Sequence, residues 1–309
     1  MNNLNRKILP ISCICSIYRR TILEEFIIAI DSLLLQEYIP SEIIVIVDGK
    51  INLNVKIFLD KIIQVEKIFK VFFIPENRGL GFALNYGLQK CNNKIVARFD
   101  TDDINLENRL KIQFDLLENK PEISIVGSDV IEFNNFDNNI FKKKMKNYKE
   151  MKSGFMKRNQ LNHPSIMYRK KDILNVGSYK DIKLFEDYEL WLRCIKKEVG
   201  IYNINQALVA MRRSSYLSNR IGLKYAIYEL RFIIETIKQN TIKKIYVPFF
   251  ILRIIVRLLP KNFTFWIRIF DQSRLISQDD FNLEDYILQL TNNKNSFHKK
   301  YNNLINKIK

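Results

Sequence analysis

The sequence predicts an α/β fold: a Rossmann-like, mainly parallel sheet flanked by helices, followed by a C-terminal helical extension. Two observations predict it. In the first half, short apolar runs (11–17, 43–47, 71–74 and 95–99) alternate with helical patterns (22–35, 54–66 and 81–90), the signature of βαβ units. From about residue 216 the pattern changes to long helical stretches with no further strand signal. The 309 residues therefore divide into an α/β domain over 1–215 and a helical, basic and amphipathic extension over 216–309.

The elements follow in order. Segment 8–18 is apolar but shorter than a membrane span and interrupted by Pro10, Ser12 and Ser16, so it is a first buried strand. Thr21 followed by Glu24 has the spacing of a capping box, and Phe26, Ile30, Leu33 and Leu34 recur at helical spacing behind it. Pro40 is expected to stop the chain before the second strand. After residue 100 the sequence predicts a helix at 106–118, Pro121 and a short strand at 123–126. Residues 134–158, rich in Asn and Lys and including Lys142-Lys143-Lys144, read as a mobile or surface segment near the acceptor side. Segment 246–270 is strongly apolar but carries Arg253, Arg257, Lys261 and Arg268, and charges at the centre of a membrane span cost several kcal/mol each. It is expected to lie in a membrane interface, Phe and Trp inward and Arg toward lipid phosphates; the alternative is a buried helix pair packed on the α/β domain.

The formal charge of +17 suggests an anionic partner (phosphorylated substrate, acidic membrane surface or nucleic acid); the alternative is the Ile-, Asn- and Lys-rich composition that runs through the whole chain. Nucleic acid is disfavoured, because the chain has no RNP aromatic pattern, zinc-finger spacing or single-helix charge stripe. Cys13, Cys15, Cys91 and Cys194 form no CxxC pair, and no secretory signal is evident, so reduced thiols in the cytosol are expected.

The chemistry centres on Asp100-Thr101-Asp102-Asp103, directly after the strand 95–99, where open α/β sheets bind ligands. Three carboxylates within four residues repel one another unless a cation sits among them, and Mg²⁺ or Mn²⁺ prefers such oxygen ligands. The competing explanation is that Asp103 favours the dipole of a following helix. Asp48-Gly49 ends another strand, and Asn77-Arg78-Gly79-Leu80-Gly81 leads into a helix bearing Asn85, its glycines suited to close approach to phosphate. Leu84 stands where a dinucleotide fingerprint has its third small residue, which disfavours hydride transfer. The absence of glycine from 10–18 disfavours a nucleotidyltransferase.

The order of Ser12-x-x-x-Ser16-x-Tyr18, Gln36, Glu42-Ile43-Ile44-Val45-x-x-Asp48-Gly49, Asn77-x-Gly79-x-x-x-Ala83-x-Asn85-x-Gly87 and Asp100-x-Asp102-Asp103 resembles the family 2 glycosyltransferases of GT-A fold. Asn162-His163-Pro164-Ser165, Leu184-Phe185-Glu186-Asp187-Tyr188-Glu189-Leu190-Trp191 and Met211-Arg212 extend the resemblance to the AmsE-like capsular and exopolysaccharide branch, over roughly 8–215. The sequence departs from that pattern at Val47, where most relatives carry a first aspartate, and at Arg19, where they carry Asn.

The resemblance implies a UDP-sugar bound over the strand ends, with Tyr18 stacking on uracil and Asp48 accepting a hydrogen bond from it. Ser16, Asn77, Arg78, Gly79, Asn85, Arg98, Thr101 and Arg212 would complete the nucleotide-sugar site. Asp100 would contact ribose or the metal shell, and Asp102, with Asp100 and His163, is a candidate ligand of Mn²⁺ or Mg²⁺. Asp187 is the candidate base, with Glu186 its partner or substitute and His163 a further catalytic candidate. The implied partners are a polysaccharide or lipid-linked oligosaccharide acceptor and the cytoplasmic face of the inner membrane, with no nucleic acid.

Overall fold

A computed structural model describes residues 6–134, 137–143, 153–212, 222–259, 275–276 and 282–306. Strands β1 (Lys7–Ile17), β2 (Tyr38–Asp48), β3 (Phe69–Ile74) and β4 (Ile95–Arg98) alternate with helices α1 (Leu23–Leu34), α2 (Leu53–Val65) and α3 (Leu80–Lys90). After β4 come β5 (Ile104–Asn105), α4 (Arg109–Asn119), β6 (Ile125–Asn134), β7 (Asp137–Lys143), β8 (Met167–Arg169), α5 (Lys170–Asn175), α6 (Glu186–Lys196) and β9 (Ile201–Arg212). The chain then runs through α7 (Leu223–Lys238), α8 (Val247–Leu258), β10 (Leu275–Ile276), α9 (Leu283–Asn292) and α10 (Phe297–Asn306).

The ten strands form one sheet in the order β10-β7-β6-β8-β4-β1-β2-β3, with β9 beside β6 and β5 beside β9. The first four strands pair in parallel, as do β6 and β9, while β8 runs antiparallel between β4 and β6. From β1 the chain builds outward through β2 and β3, then returns to lay β4 on the opposite side of β1. That reversal opens a crevice at the carboxyl ends of β1 and β4, the place where such sheets take ligands.

Alternation along β1 sorts its side chains onto two cores. Cys13, Cys15 and Ile17 pack with Phe26 and Ile30 of α1, Phe58 of α2 and Leu110 of α4. Ile14 faces the other way, with Ala83, Leu84 and Leu88 of α3 and Trp191 of α6. Gly87 lets α3 lie close on this face, since a Cβ there would meet Cδ1 of Ile14 at 2.5 Å and Cγ1 of Ile46 at 2.8 Å.

Several local expectations are corrected. No capping box forms: Ile22 is the N-cap of α1 without a side-chain bond, and the Thr21 hydroxyl instead accepts from the Tyr18 backbone N–H at 3.1 Å. Pro40 does not stop the chain but lies within β2, opposite Leu9 beside a register shift. Pairing of β2 with β3 begins only at Ile43, so Pro40 sits where β2 has one neighbour and its missing donor is tolerated. Part of the Asn- and Lys-rich segment is strand β7, paired antiparallel with β6; residues 144–152 lie outside the described residues. A short strand, β10, also interrupts the extension predicted to be wholly helical.

The extension packs back on the α/β domain. Phe232 of α7 stacks on Phe185 at 4.9 Å and on Tyr188 at 4.8 Å. At the other end, the carboxylate of Asp31 in α1 accepts from the backbone N–H groups of Phe297 (2.6 Å) and His298 (2.9 Å), capping the start of α10. The arginines of α8 point opposite to the sequence expectation: Arg253 and Arg257 are buried, 2.8 and 2.5 Å from the carboxylate of fully buried Glu229 on α7. The pairing takes both charges off the helix surface and leaves Ile251, Leu252, Ile255 and Leu258 exposed. Residues 260–270, the rest of the predicted interfacial segment, lie outside the described residues, among which no helix is long and apolar enough to cross a membrane.

Candidate active site

A cavity of about 660 Å³ opens at the crevice beside β1 and β4. Its lining includes Ser16, Tyr18, Asp48, Asn77, Arg78, Gly79, Arg98, Asp100, Thr101, Asp102, His163, Glu186 and Arg212, most of the residues singled out from sequence. Most come from a strand end or from the turn following one, while His163 lies in the turn before β8 and Glu186 opens α6.

Buried Asp48 ends β2, and its carboxylate accepts from the backbone N–H groups of Arg78 at 2.7 Å and Gly79 at 2.9 Å. The Asn77 side chain donates to the Asp48 carbonyl at 3.1 Å. Asp48 thus shapes the loop at the start of α3. Each of its oxygens has a second lone pair for a ligand. Gly79 has φ +87° and open space where a Cβ would be, so the backbone there can approach a ligand closely.

The acidic run follows β4. One carboxylate oxygen from each of Asp100, Asp102 and Asp103 lies within 4.8 Å of the others. Burial, then the charge of Asp100, pushes the Asp102 carboxyl up to about 6. Burial, then Asp102 and Asp100, pushes Asp103 well above the usual carboxylate range. Oδ1 of Asp103 accepts from the Arg212 backbone N–H at 2.8 Å, whereas buried Oδ2 has no hydrogen-bond partner. A cluster of oxygen ligands that resists ionising by itself and has an orphaned carboxylate oxygen fits a divalent cation. Asp103 is therefore not a helix-start charge: β5 follows it, and α4 begins only at Arg109.

Two buried arginines underlie this run. Arg98 donates to Asp100, while its Nε and Nη1 have no partner. Arg109 donates from Nη2 to the Arg98 carbonyl at 2.6 Å and from Nε to Gln113 Oε1 at 3.1 Å, and also donates to Asn105. Gln113 in turn donates to the Ser165 carbonyl at 2.7 Å, so one chain of bonds joins β4, β5, α4 and the turn at His163. Sequence reading missed Arg109 and Gln113, whose Arg-x-x-x-Gln spacing signals nothing without the third dimension.

His163 is buried beneath the cavity, its Nε2 2.9 Å from the Tyr179 hydroxyl and its Nδ1 4.0 Å from Oδ2 of Asp187. Burial, then the charge of Arg98, holds its pKa well below the usual value, so the ring is neutral. It does not belong to the Asp100, Asp102 and Asp103 group.

Glu186 and Asp187 open α6 and diverge. Glu186 lines the cavity, and burial followed by the neighbouring Asp187 charge pushes its carboxyl up to about 7. Asp187 is not part of the lining: it accepts from the Asn159 side chain and the Tyr188 backbone N–H, each at 2.7 Å. Asn85 is also absent from the lining. Its amide donates to the Tyr179 carbonyl at 2.5 Å and accepts from the Tyr179 N–H at 2.9 Å, pinning α3 to the chain before α6. Glu25, Glu132 and residues 180–183 line the cavity without having been foreseen. Glu25 looked like an ordinary charge in the first turn of α1, yet it pairs with Arg212 at 3.3 Å.

Residues 12–177 match Glycosyl transferase family 2. The chain is 36% identical over 239 residues to the UDP-Gal:alpha-D-GlcNAc-diphosphoundecaprenol beta-1,3-galactosyltransferase of Escherichia coli, covering 76% of this chain and 86% of that protein. It is 29% identical to the amylovoran biosynthesis glycosyltransferase AmsE of Erwinia amylovora, covering 81% of this chain and 94% of AmsE. Among solved structures, S. aureus TarS 1-349 in complex with UDP-GlcNAc superimposes with TM-score 0.54 at 15% identity, covering 74% of this chain and 66% of that one. The mannosyltransferase PcManGT of Pyrobaculum calidifontis, with GDP-Man and Mn²⁺, also gives 0.54, at 12% identity over 78% of this chain and 68% of that one. The fold is GT-A, and the chain belongs to the family 2 glycosyltransferases.

Proposed function

We propose that this glycosyltransferase is an inverting, metal-dependent hexosyltransferase. It moves a sugar from a UDP-sugar to a hydroxyl of a growing surface polysaccharide or lipid-linked oligosaccharide. The observation that carries the reading is the convergence of Asp100, Asp102 and Asp103 on a cavity also lined by Asp48, Arg78 and Gly79. The E. coli relative, whose name specifies UDP-Gal and a diphosphoundecaprenol-linked sugar, supports this donor and acceptor.

In this reading Tyr18, exposed at the cavity, stacks on uracil, and Asp48 accepts a hydrogen bond from it. Asp100 and Asp102, joined by Asp103, would hold Mg²⁺ or Mn²⁺, and the ion would supply Lewis-acid stabilisation of the charge on the departing UDP. Arg98 and Arg212 offset diphosphate charge from below and from the end of β9. Glu186 faces the donor sugar. Asp187, on the far side of the same helix start, takes the proton of the acceptor hydroxyl, steadied by Asn159 and neutral His163. The cavity position and raised pKa of Glu186 favour the exchanged assignment, which the paired variants below separate.

Peripheral attachment to the cytoplasmic face of the inner membrane belongs to this reading and is supported by the outward aliphatic side chains of α7 and α8 (Ile227, Leu230, Ile234, Ile251, Leu252 and Ile255). Exposed Lys224, Lys243 and Lys244 suit anionic headgroups beside that surface. The decisive experiment is a screen of UDP-sugars for hydrolysis or transfer with Mn²⁺ and with EDTA. One sugar consumed only with metal is expected; indifference of every UDP-sugar to both conditions would refute the reading.

A further inference from the structure

A second cavity, of about 590 Å³, lies behind the wall of the first: residues 180–183 line both, and Tyr228, Arg231 and Glu235 of α7 close the far side. It therefore sits between the donor cavity and the outward aliphatic stripe of α7, where Ile227, Leu230 and Ile234 flank Tyr228 and Arg231 in sequence.

The acids of α7 are already used. Glu229 is buried between Arg253 and Arg257, and Glu235 takes hydrogen bonds from Lys180 at 3.2 Å and Gln239 at 2.6 Å. Lys180 is also 3.8 Å from Glu189. Arg231 is exposed and, like Lys183, has no carboxylate in ion-pair reach among the described residues; Lys183 lies 5.8 Å over the Tyr228 ring. Asp181 is the remaining acid of the lining, exposed on the wall facing both cavities. Two uncommitted cations beside an aromatic face, next to apolar surface and one wall away from the transfer site, suit an anion carried on a lipid.

We propose that this cavity binds the diphosphate of a lipid-linked acceptor, with Arg231 and Lys183 as its cationic contacts and the lipid leaving along the α7 stripe. The inference rests on the acceptor class proposed above and deepens it: the acceptor's sugar would cross the 180–183 wall to reach Glu186 and Asp187.

The test uses dodecyl diphosphate as probe, titrated calorimetrically into the full chain with EDTA present. Binding is expected to be on the order of tenfold weaker in Arg231→Ala, restored largely by Arg231→Lys, because one charge-assisted contact is lost and regained. Dodecyl monophosphate and phosphatidylglycerol vesicles distinguish the acceptor diphosphate from membrane headgroups. Three results would each overturn the proposal: equal affinity for mono- and diphosphate, displacement of the probe by UDP, or indifference to Arg231→Ala. UDP titration with Mn²⁺ on the same preparations reports the donor reading separately. Failure of wild type to bind UDP would strike that reading alone, whereas Arg231→Ala is expected to leave UDP affinity unchanged.

Discussion

The backbone N–H of Arg212 donates to Oδ1 of Asp103 at 2.8 Å, so the end of β9 is fastened to the acidic run across 109 residues of sequence. Asp103 thereby serves two neighbours: Oδ1 holds β9, and the carboxylate also lies in the cluster with Asp100 and Asp102. Asp103→Asn should weaken Mn²⁺ binding at least tenfold, about 1.4 kcal/mol or more, measured by metal titration of UDP affinity. An unchanged Mn²⁺ requirement would remove Asp103 from the metal group.

Glu186 and Asp187 give a pH prediction. Burial and the Asp187 charge raise Glu186 to about 7, so Glu186 is neutral below that pH and ionised above it. If the Glu186 charge assists catalysis without being essential to it, kcat/KM rises with pH through about 7. Glu186→Gln should remove that limb while keeping measurable transfer, and Asp187→Asn should abolish transfer while UDP still binds. The reverse pattern, activity surviving Asp187→Asn but not Glu186→Gln, would make Glu186 the base.

The outer helix pair separates a structural role from a surface role. Glu229→Ala would leave Arg253 and Arg257 buried without their carboxylate, and breaking such a buried arrangement costs about 3–5 kcal/mol. A large drop in denaturant midpoint is expected. Ile251→Ser with Ile255→Ser should instead leave the midpoint nearly unchanged and reduce co-sedimentation with anionic vesicles. Equal vesicle binding by wild type and this double variant would argue against the α8 face as the membrane contact.

Asp31 fastens the end of the chain. Its carboxylate caps α10 through Phe297 and His298, while Phe297 and Tyr301 pack with Phe58 and Phe69. Asp31→Ala should cost about 1–3 kcal/mol through the two amides left unpaired. Hydrogen exchange at Phe297 and His298 should accelerate first. Retained protection at those two amides would show that the aromatic packing alone holds the helix.

Much of this site is legible in the sequence because its residues lie at strand ends, and strands announce themselves. The run before Asp48 is a continuous apolar stretch and the run before Asp100 is broken only by Arg98, as befits parallel strands buried on both faces. What the sequence hides depends on partners far along the chain. The Thr21 hydroxyl is taken by Tyr18 rather than by a helix N–H, so a correct capping spacing forms no cap. Arg253 and Arg257 read as lipid-facing until Glu229, on another helix, proves to draw them inward. Strand β9 was unforeseen: Asn203, Asn205 and Gln206 interrupt its apolar pattern, and its first half is anchored by polar contacts, including Asn203 to Asp129 at 3.1 Å. Asn85 looked like a ligand contact because it follows a glycine-rich turn, but α3 points its amide at Tyr179.

The central claim is that the acidic run holds a metal on which donor binding depends. Calorimetric titration of UDP into wild type and Asp102→Ala, with Mn²⁺ and with EDTA, tests it most directly. UDP should bind wild type only with Mn²⁺ and should bind Asp102→Ala weakly under both conditions. UDP affinity that is the same with Mn²⁺ and with EDTA would contradict the account.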